Sequence, residues 1–212
     1  IRIIGDVPIY VAGDSVDVWT NPSQFYLDEN LEPIDVAGCP PDAFSADGQL
    51  WGNPLFRWDV MREDGYSWWT MRLRKMSTLY DVIRIDHFRG FDSYYAIPGK
   101  DTTARNGVWR NGPGMELFRA VEEKLGKLDI IVEDLGFLTP SVLQLVADSG
   151  YPGMKVVQFA FDSRDDSDYM PHNYDKHCVV YTGTHDNDTI LGWMKQAPKN
   201  SVKKAKEYWN KR

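Results

Sequence analysis

Three short apolar runs in this chain each end in a carboxylate beside a polar cluster: DVIRIDHFRG over 81–90, DIIVEDLG over 129–136 and CVVYTGTHDND over 178–188. Apolar runs rich in β-branched residues, with no polar alternation, are strands buried on both faces, as in a parallel sheet covered by helices. Such sheets carry their chemistry where the strands end and the chain emerges into loops. Asp86, Glu133 and Asp186 stand at those ends, so the pattern predicts a convergent acidic site.

The rest of the chain repeats the theme. Residues 1–6, IRIIGD, form another apolar run that ends in an acid. Residues 66–79 read as a helix. So do 115–125, where Leu117, Phe118, Val121 and Leu125 share a face and Gly126 suits the C-cap. Thr139-Pro140 is an N-cap followed by proline at the first helical position, opening a helix to Ser149. Residues 155–161 and 177–182 supply two further strands, and the tail from Ile190 is helical, its charges forming a solvated face. Strand and helix alternating at this spacing mean parallel βα units. With no GxGxxG or P-loop glycine pattern, five such strands fit part of a (β/α)8 barrel better than an open nucleotide-binding sheet. The predicted fold class is therefore α/β: a partial (β/α)8 barrel of about five parallel strands, with residues 1–212 forming part of one catalytic domain. Residues 21–58 are rich in Pro, Gly and Asn, and such long connections serve as lids or binding loops. An inserted substrate-binding region is expected over 21–65.

Composition narrows the partners. Lys plus Arg total 24 against 31 Asp plus Glu, a formal charge of −7, so nucleic acid and anionic membrane surfaces are repelled. No run reaches the roughly 18 to 20 apolar residues of a membrane helix. Cys39 and Cys178 lack CxxC spacing, which fits reduced thiols in a cytoplasmic protein. Ile1 stands where Met would, and a strand begins at once, so the chain is expected to be a piece of something longer.

Arg84 and Asp86 are two apart on one strand and so face the same side, where the guanidinium can keep Asp86 ionised. Taken alone, the pair equally suits a structural ion pair. Glu133 ends an apolar run, which biases it toward a raised pKa and a proton-donor role. His185 and Asp186 leave their strand together and match the hydroxyls of a vicinal diol. Three acids with a cation and an imidazole are the equipment for cleaving a glycosidic bond. Of the eight tryptophans, Trp68 and Trp69 read as helix core, while Trp51 and Trp109 read as loop residues able to stack on sugars. A two-metal hydrolase using Asp86, His87, His185, Asp186 and Asp188 is the competing reading; it lacks HExxH or His-x-His spacing and leaves Glu133 without a role.

Six segments, GDVPIYVAGDSVDVW (5–19), PPDAFSADGQLWGNPLFRW (40–58), RIDHFRGF (84–91), VEDLG (132–136), GYPGMKVVQFAF (150–161) and GTHDNDT (183–189), resemble the amylomaltase family, the 4-alpha-glucanotransferases or disproportionating enzymes. The acidic motifs alone indicate only the wider α-amylase clan, and the 40–58 loop is the family-specific part. The resemblance implies a (β/α)8 barrel acting with retention on α-1,4-glucans and maltooligosaccharides, with no cofactor and no metal. By motif it makes Asp86 the nucleophile, Glu133 the acid/base and Asp186 the transition-state stabiliser. Arg84, His185, Asp6, Asp42, Gln49, Trp51 and His87 become substrate contacts, with strand alternation turning His87 away from Asp86. The compartment implied is the cytoplasm, or a plastid if the source is a plant or alga.

Overall fold

The computed structural model describes residues 1–42, 45–136, 138–161 and 169–210. It divides into two compact units, Ile1–Tyr151 and Pro152–Arg212.

In the first unit the apolar runs become strands β1 (Ile4–Val7), β4 (Val82–Ile85) and β7 (Ile130–Val132), with β2 (Asp35–Cys39), β3 (Gln49–Pro54), β5 (Ser93–Pro98) and β6 (Val108–Asn111) between them. Strands β1, β4 and β7 form one parallel sheet in the order β1-β4-β7, with Asp6 opposite Arg84 and Ile85 opposite Val132. Ile83, Ile85, Ile130, Ile131 and Val132 are buried, as a sheet covered on both faces requires. Helices α1 (Val16–Thr20), α2 (Trp58–Glu63), α3 (Ser67–Leu79), α4 (Met115–Leu125) and α5 (Pro140–Ser149) contribute Val18, Met61, Trp69, Phe118 and Leu145 to the core that these strands share. Thr139 accepts from the Val142 N–H as the N-cap of α5, and Gly126, at φ +72, follows α4 in a conformation that favours glycine. Trp68 and Trp69 are buried in the core on α3, whereas Met71 and Leu79 of that helix face outward.

The second sheet departs from the expectation. Strands β3-β2-β5-β6 form a four-stranded antiparallel sheet. Part of the stretch read as lid or loop is therefore strand, and so is Val108–Asn111, which reads as loop because Gly107 and Gly112 flank it and the pairing comes from β5 rather than from its own pattern. Gly38 of β2 has a physical reason: a Cβ there would lie 2.1 Å from the Gln49 carbonyl oxygen, so glycine is what lets β3 approach.

In the second unit β8 (Gly153–Val156) pairs in parallel with β9 (Cys178–Tyr181). Strand β8 is shorter than the sequence suggests, because Val157–Phe161 winds into a 3₁₀ turn. Helices α6 (Ile190–Gln196) and α7 (Lys199–Asn210) break at Ala197-Pro198. Each of the five runs read as a parallel strand contributes to parallel pairing, but among the described residues they form one sheet of three and one pair rather than the single five-stranded sheet of the expected partial barrel. Among the described residues no helix is long and apolar enough to cross a membrane.

Candidate active site

Backbone hydrogen bonds carry the β1-β4-β7 sheet past its last paired residues. The Asp86 N–H donates to the Val7 carbonyl at 2.9 Å, the Glu133 N–H to Ile85 at 2.9 Å, and the Phe88 N–H to the Glu133 carbonyl at 3.0 Å. Asp6, Asp86 and Glu133 are thereby fixed at one end of the sheet. Arg84 Nη1 donates to Asp6 Oδ1 at 2.6 Å and ion-pairs with Asp86 Oδ1 at 2.9 Å. The Arg84 side chain is 9% exposed, against 43% for Asp6 and 39% for Asp86, so the cation is anchored inside and the carboxylates open outward. Burial opposes the Arg84 charge, but the Asp6 hydrogen bond and the fields of Asp6, Asp86 and Glu133 hold its pKa above the usual value.

Glu133 is in a different environment. Its Oε1 accepts the Leu135 N–H at 2.6 Å and its Oε2 the His87 N–H at 2.8 Å. Burial pushes its carboxyl up to about 7, with the Asp86 charge adding to the rise and the two N–H bonds and Arg84 opposing it. A carboxyl able to carry a proton near neutral pH thus stands beside an Arg-paired carboxylate, and two acids in unlike environments divide acid and nucleophile roles.

His87 follows Asp86 in left-handed backbone, φ +50 and ψ +51. That turn, which residue type does not announce, is how its N–H reaches Glu133. Its ring meets Trp51 edge-on, centroids 4.8 Å apart and planes at 87°, with Tyr10 at 6.5 Å. Burial, with help from Arg89, pushes the imidazole down to about 4, so it is neutral at physiological pH.

Trp51 and Gln49 lie on β3 rather than in a loop. Two apart, they share a face, and the indole N–H donates to Gln49 Oε1 at 3.0 Å. Asn53 Nδ2 donates to the Val11 carbonyl at 3.0 Å, tying β3 to the segment after β1. Asp42 Oδ1 accepts the Ser45 N–H at 2.7 Å. Burial pushes the Cys39 thiol up to about 11; Arg89 opposes the rise, while Asp42 and Glu133 add to it, which places these groups in one electrostatic neighbourhood. Trp109 is on β6, with the Arg89 guanidinium 4.2 Å over its ring and Tyr95 at its edge. One face expected to be open to a sugar is therefore taken.

In the second unit, Thr184 N–H and Oγ1 both donate to Asn187 Oδ1, and Asn187 N–H returns to the Thr184 carbonyl. This turn presents His185 and Asp186, whose Nε2 and Oδ2 are 3.5 Å apart with both side chains exposed. Tyr10 and Asn53 have no part in the sequence reading, and Cys39 figures there only as a reduced thiol. Only the aromatic Tyr10, close behind Asp6 in VPIYV, offered a signal. Among the described residues no three His, Cys, Asp or Glu side chains converge as metal ligands would.

A family model described as 4-alpha-glucanotransferase matches residues 1–212. The 4-alpha-glucanotransferase of Clostridium butyricum is 52% identical over 211 residues, covering 99% of this chain and 43% of that protein. The chloroplastic/amyloplastic 4-alpha-glucanotransferase of Solanum tuberosum is 49% identical over 208 residues, covering 98% of this chain and 36% of that protein. The solved structure of amylomaltase from Streptococcus agalactiae in complex with acarbose matches with a TM-score of 0.93 at 46% identity, covering 98% of this chain and 42% of that one. The chain therefore spans about two-fifths of the length of these relatives.

Proposed function

The chain belongs to the 4-alpha-glucanotransferase family, and from that premise we propose that the protein transfers α-1,4-glucan segments to glucose or maltooligosaccharide acceptors with retention of configuration. The observation that carries this reading is the contrast between Asp86, held by buried Arg84, and Glu133, whose carboxyl is pushed up to about 7. Asp86 attacks the anomeric carbon while Glu133 gives its proton to the departing glycosidic oxygen. The C–O bond to the leaving sugar breaks and a glucosyl ester on Asp86 forms. Glu133, now a carboxylate, takes the proton of an acceptor 4-hydroxyl, which attacks the same carbon and releases Asp86. Every bond change is carried by a carboxyl group, so the chemistry needs no cofactor. Asp186 stabilises the positive charge that develops on the ring in the transition state, and Arg84 and His185 contact the sugar undergoing cleavage.

On this reading residues 1–212 are part of one catalytic (β/α)8 barrel domain of the family type, with the region 21–65 as its inserted substrate-binding region. Asp6 contacts the glucan from the end of β1, Asp42, Gln49 and Trp51 contact it from that insertion, and His87 serves from its place between Trp51 and Glu133. Water is present at about 55 M, so an acceptor prevails only if it is held in line, and oriented binding supplies effective concentrations far above that. Trp51 stacked on the acceptor ring and Gln49 bonded to a hydroxyl would do this. The reaction suits the cytoplasm or a plastid, where α-glucans are turned over. Incubating the complete protein encoded by the gene with maltotriose tests the reading by chromatography. Transfer gives a ladder of longer maltooligosaccharides plus glucose, whereas products no longer than maltotriose would mean hydrolysis instead.

A further inference from the structure

We propose that His87 is a positioning residue in this reaction, its backbone N–H fixing one oxygen of Glu133 while its ring seats the indole of Trp51. The inference rests on the transfer reading above and deepens it: the proton donor and the acceptor platform share one anchor. The backbone half lies in two contacts, His87 N–H to Glu133 Oε2 at 2.8 Å and Phe88 N–H to the Glu133 carbonyl at 3.0 Å. The first depends on the left-handed conformation at 87, which is uncommon outside glycine and asparagine. The side-chain half lies in the edge-on ring contact at 4.8 Å, with Tyr10 near both rings, 6.5 Å from His87 and 6.2 Å from Trp51. A neutral imidazole suits that aromatic setting, since burying its charged form would be costly. Trp51 in turn holds Gln49. Moving the backbone at 87 therefore releases Glu133, and removing the ring releases Trp51.

The two halves can be separated by substitution in the complete protein. His87→Gly keeps positive φ without strain and deletes the ring, His87→Asn tolerates the same backbone, and His87→Val disfavours it. The charged and titratable groups facing Glu133 are Asp86 and Arg84 at the end of β4 and Cys39 at the end of β2, and none is altered. With maltotriose as donor and glucose as acceptor, His87→Gly should raise the acceptor KM by about two- to tenfold, the worth of an aromatic pair. It should also increase the share of hydrolysis and leave the alkaline limb of kcat/KM where it was. His87→Val should move that limb upward, because losing an N–H bond to the carboxylate disfavours ionisation. Combining His87→Gly with Trp51→Ala should give an acceptor KM within about twofold of Trp51→Ala alone, since the two act through one contact.

Multiplying effects in that double variant would mean His87 touches the sugar independently and would overturn the inference. So would a limb that His87→Gly and His87→Asn move as far as His87→Val does. If His87→Val does not fold by circular dichroism, the double variant and the limb of His87→Gly and His87→Asn decide alone. A wild type that makes no ladder from maltotriose would sink the transfer reading itself, and the inference with it. A wild type that transfers, with His87 and Trp51 acting independently, would sink this inference alone.

Discussion

In the proposed mechanism Glu133 sets the pH range over which the site can work. As the proton donor it must be protonated, so kcat/KM should fall as pH rises through about 7. Glu133→Gln should abolish that limb together with nearly all turnover of natural glucans. The same environment predicts a stability change. A folded-state pKa raised above the unfolded value means stability present below about 4.5 and lost as pH rises through about 7. Thermal unfolding of Glu133→Gln should therefore gain on wild type progressively over that window and level off above it; a constant difference across pH would contradict the environment assigned to Glu133. Asp86→Asn keeps shape but cannot attack carbon, so turnover should drop by roughly a thousandfold or more with glucan binding within a few-fold. Retention of about a tenth of the rate or more would remove Asp86 from the nucleophile role. The place of these two acids was legible in the sequence because a carboxylate closing a mostly apolar run has one place to go, the strand end. The N–H donors from His87 and Leu135 were not legible, since a left-handed histidine carries no residue-type signal.

At the scale of elements, the proposed acceptor platform rests on β3, which carries Gln49 and Trp51. Trp51→Ala should raise the ratio of reducing ends released to glucose formed from maltotriose while slowing the reaction, and an unchanged ratio would leave β3 with no part in acceptor choice. The strand was hidden in a stretch that reads as loop. Its burial shows no alternation, Gln49 through Gly52 all being exposed. Its sheet is completed by β5 and β6, which come later in the chain, so no local pattern marks it. Helix α3 was legible for the opposite reason, because a Trp pair inside a helical stretch has to pack. Trp69 is fully buried against Phe56, Trp58, Trp68 and Phe91. Trp69→Ala should cost about 3 to 5 kcal/mol of unfolding free energy by chemical denaturation. Among the described residues its indole N–H has no hydrogen-bond partner, so Trp69→Phe should cost far less, the deleted polar atom offsetting part of the cavity.

Across the whole molecule, β1 and β7 are the outer strands of their sheet among the described residues, and Ile1, Ile3 and Ile4 are exposed. Unpaired parallel edges with apolar neighbours invite self-association, so residues 1–212 made alone should aggregate or lack activity; a monomeric, cooperatively unfolding and active product would contradict this. The α/β class and the parallel strands could be read from apolar runs, because burial on both faces erases polar alternation. How strands close into a barrel is set by tilt and stagger over many residues, which no single run encodes. The covalent intermediate offers the most direct test of the whole mechanism. The complete protein carrying Glu133→Gln, given an α-maltosyl fluoride whose leaving group needs no acid, should accumulate a glycosyl ester, and proteolysis with mass spectrometry should find the sugar on Asp86. The absence of any adduct, or a sugar attached to Asp186 or another residue, would contradict the assignment of Asp86 and Glu133 as nucleophile and acid/base.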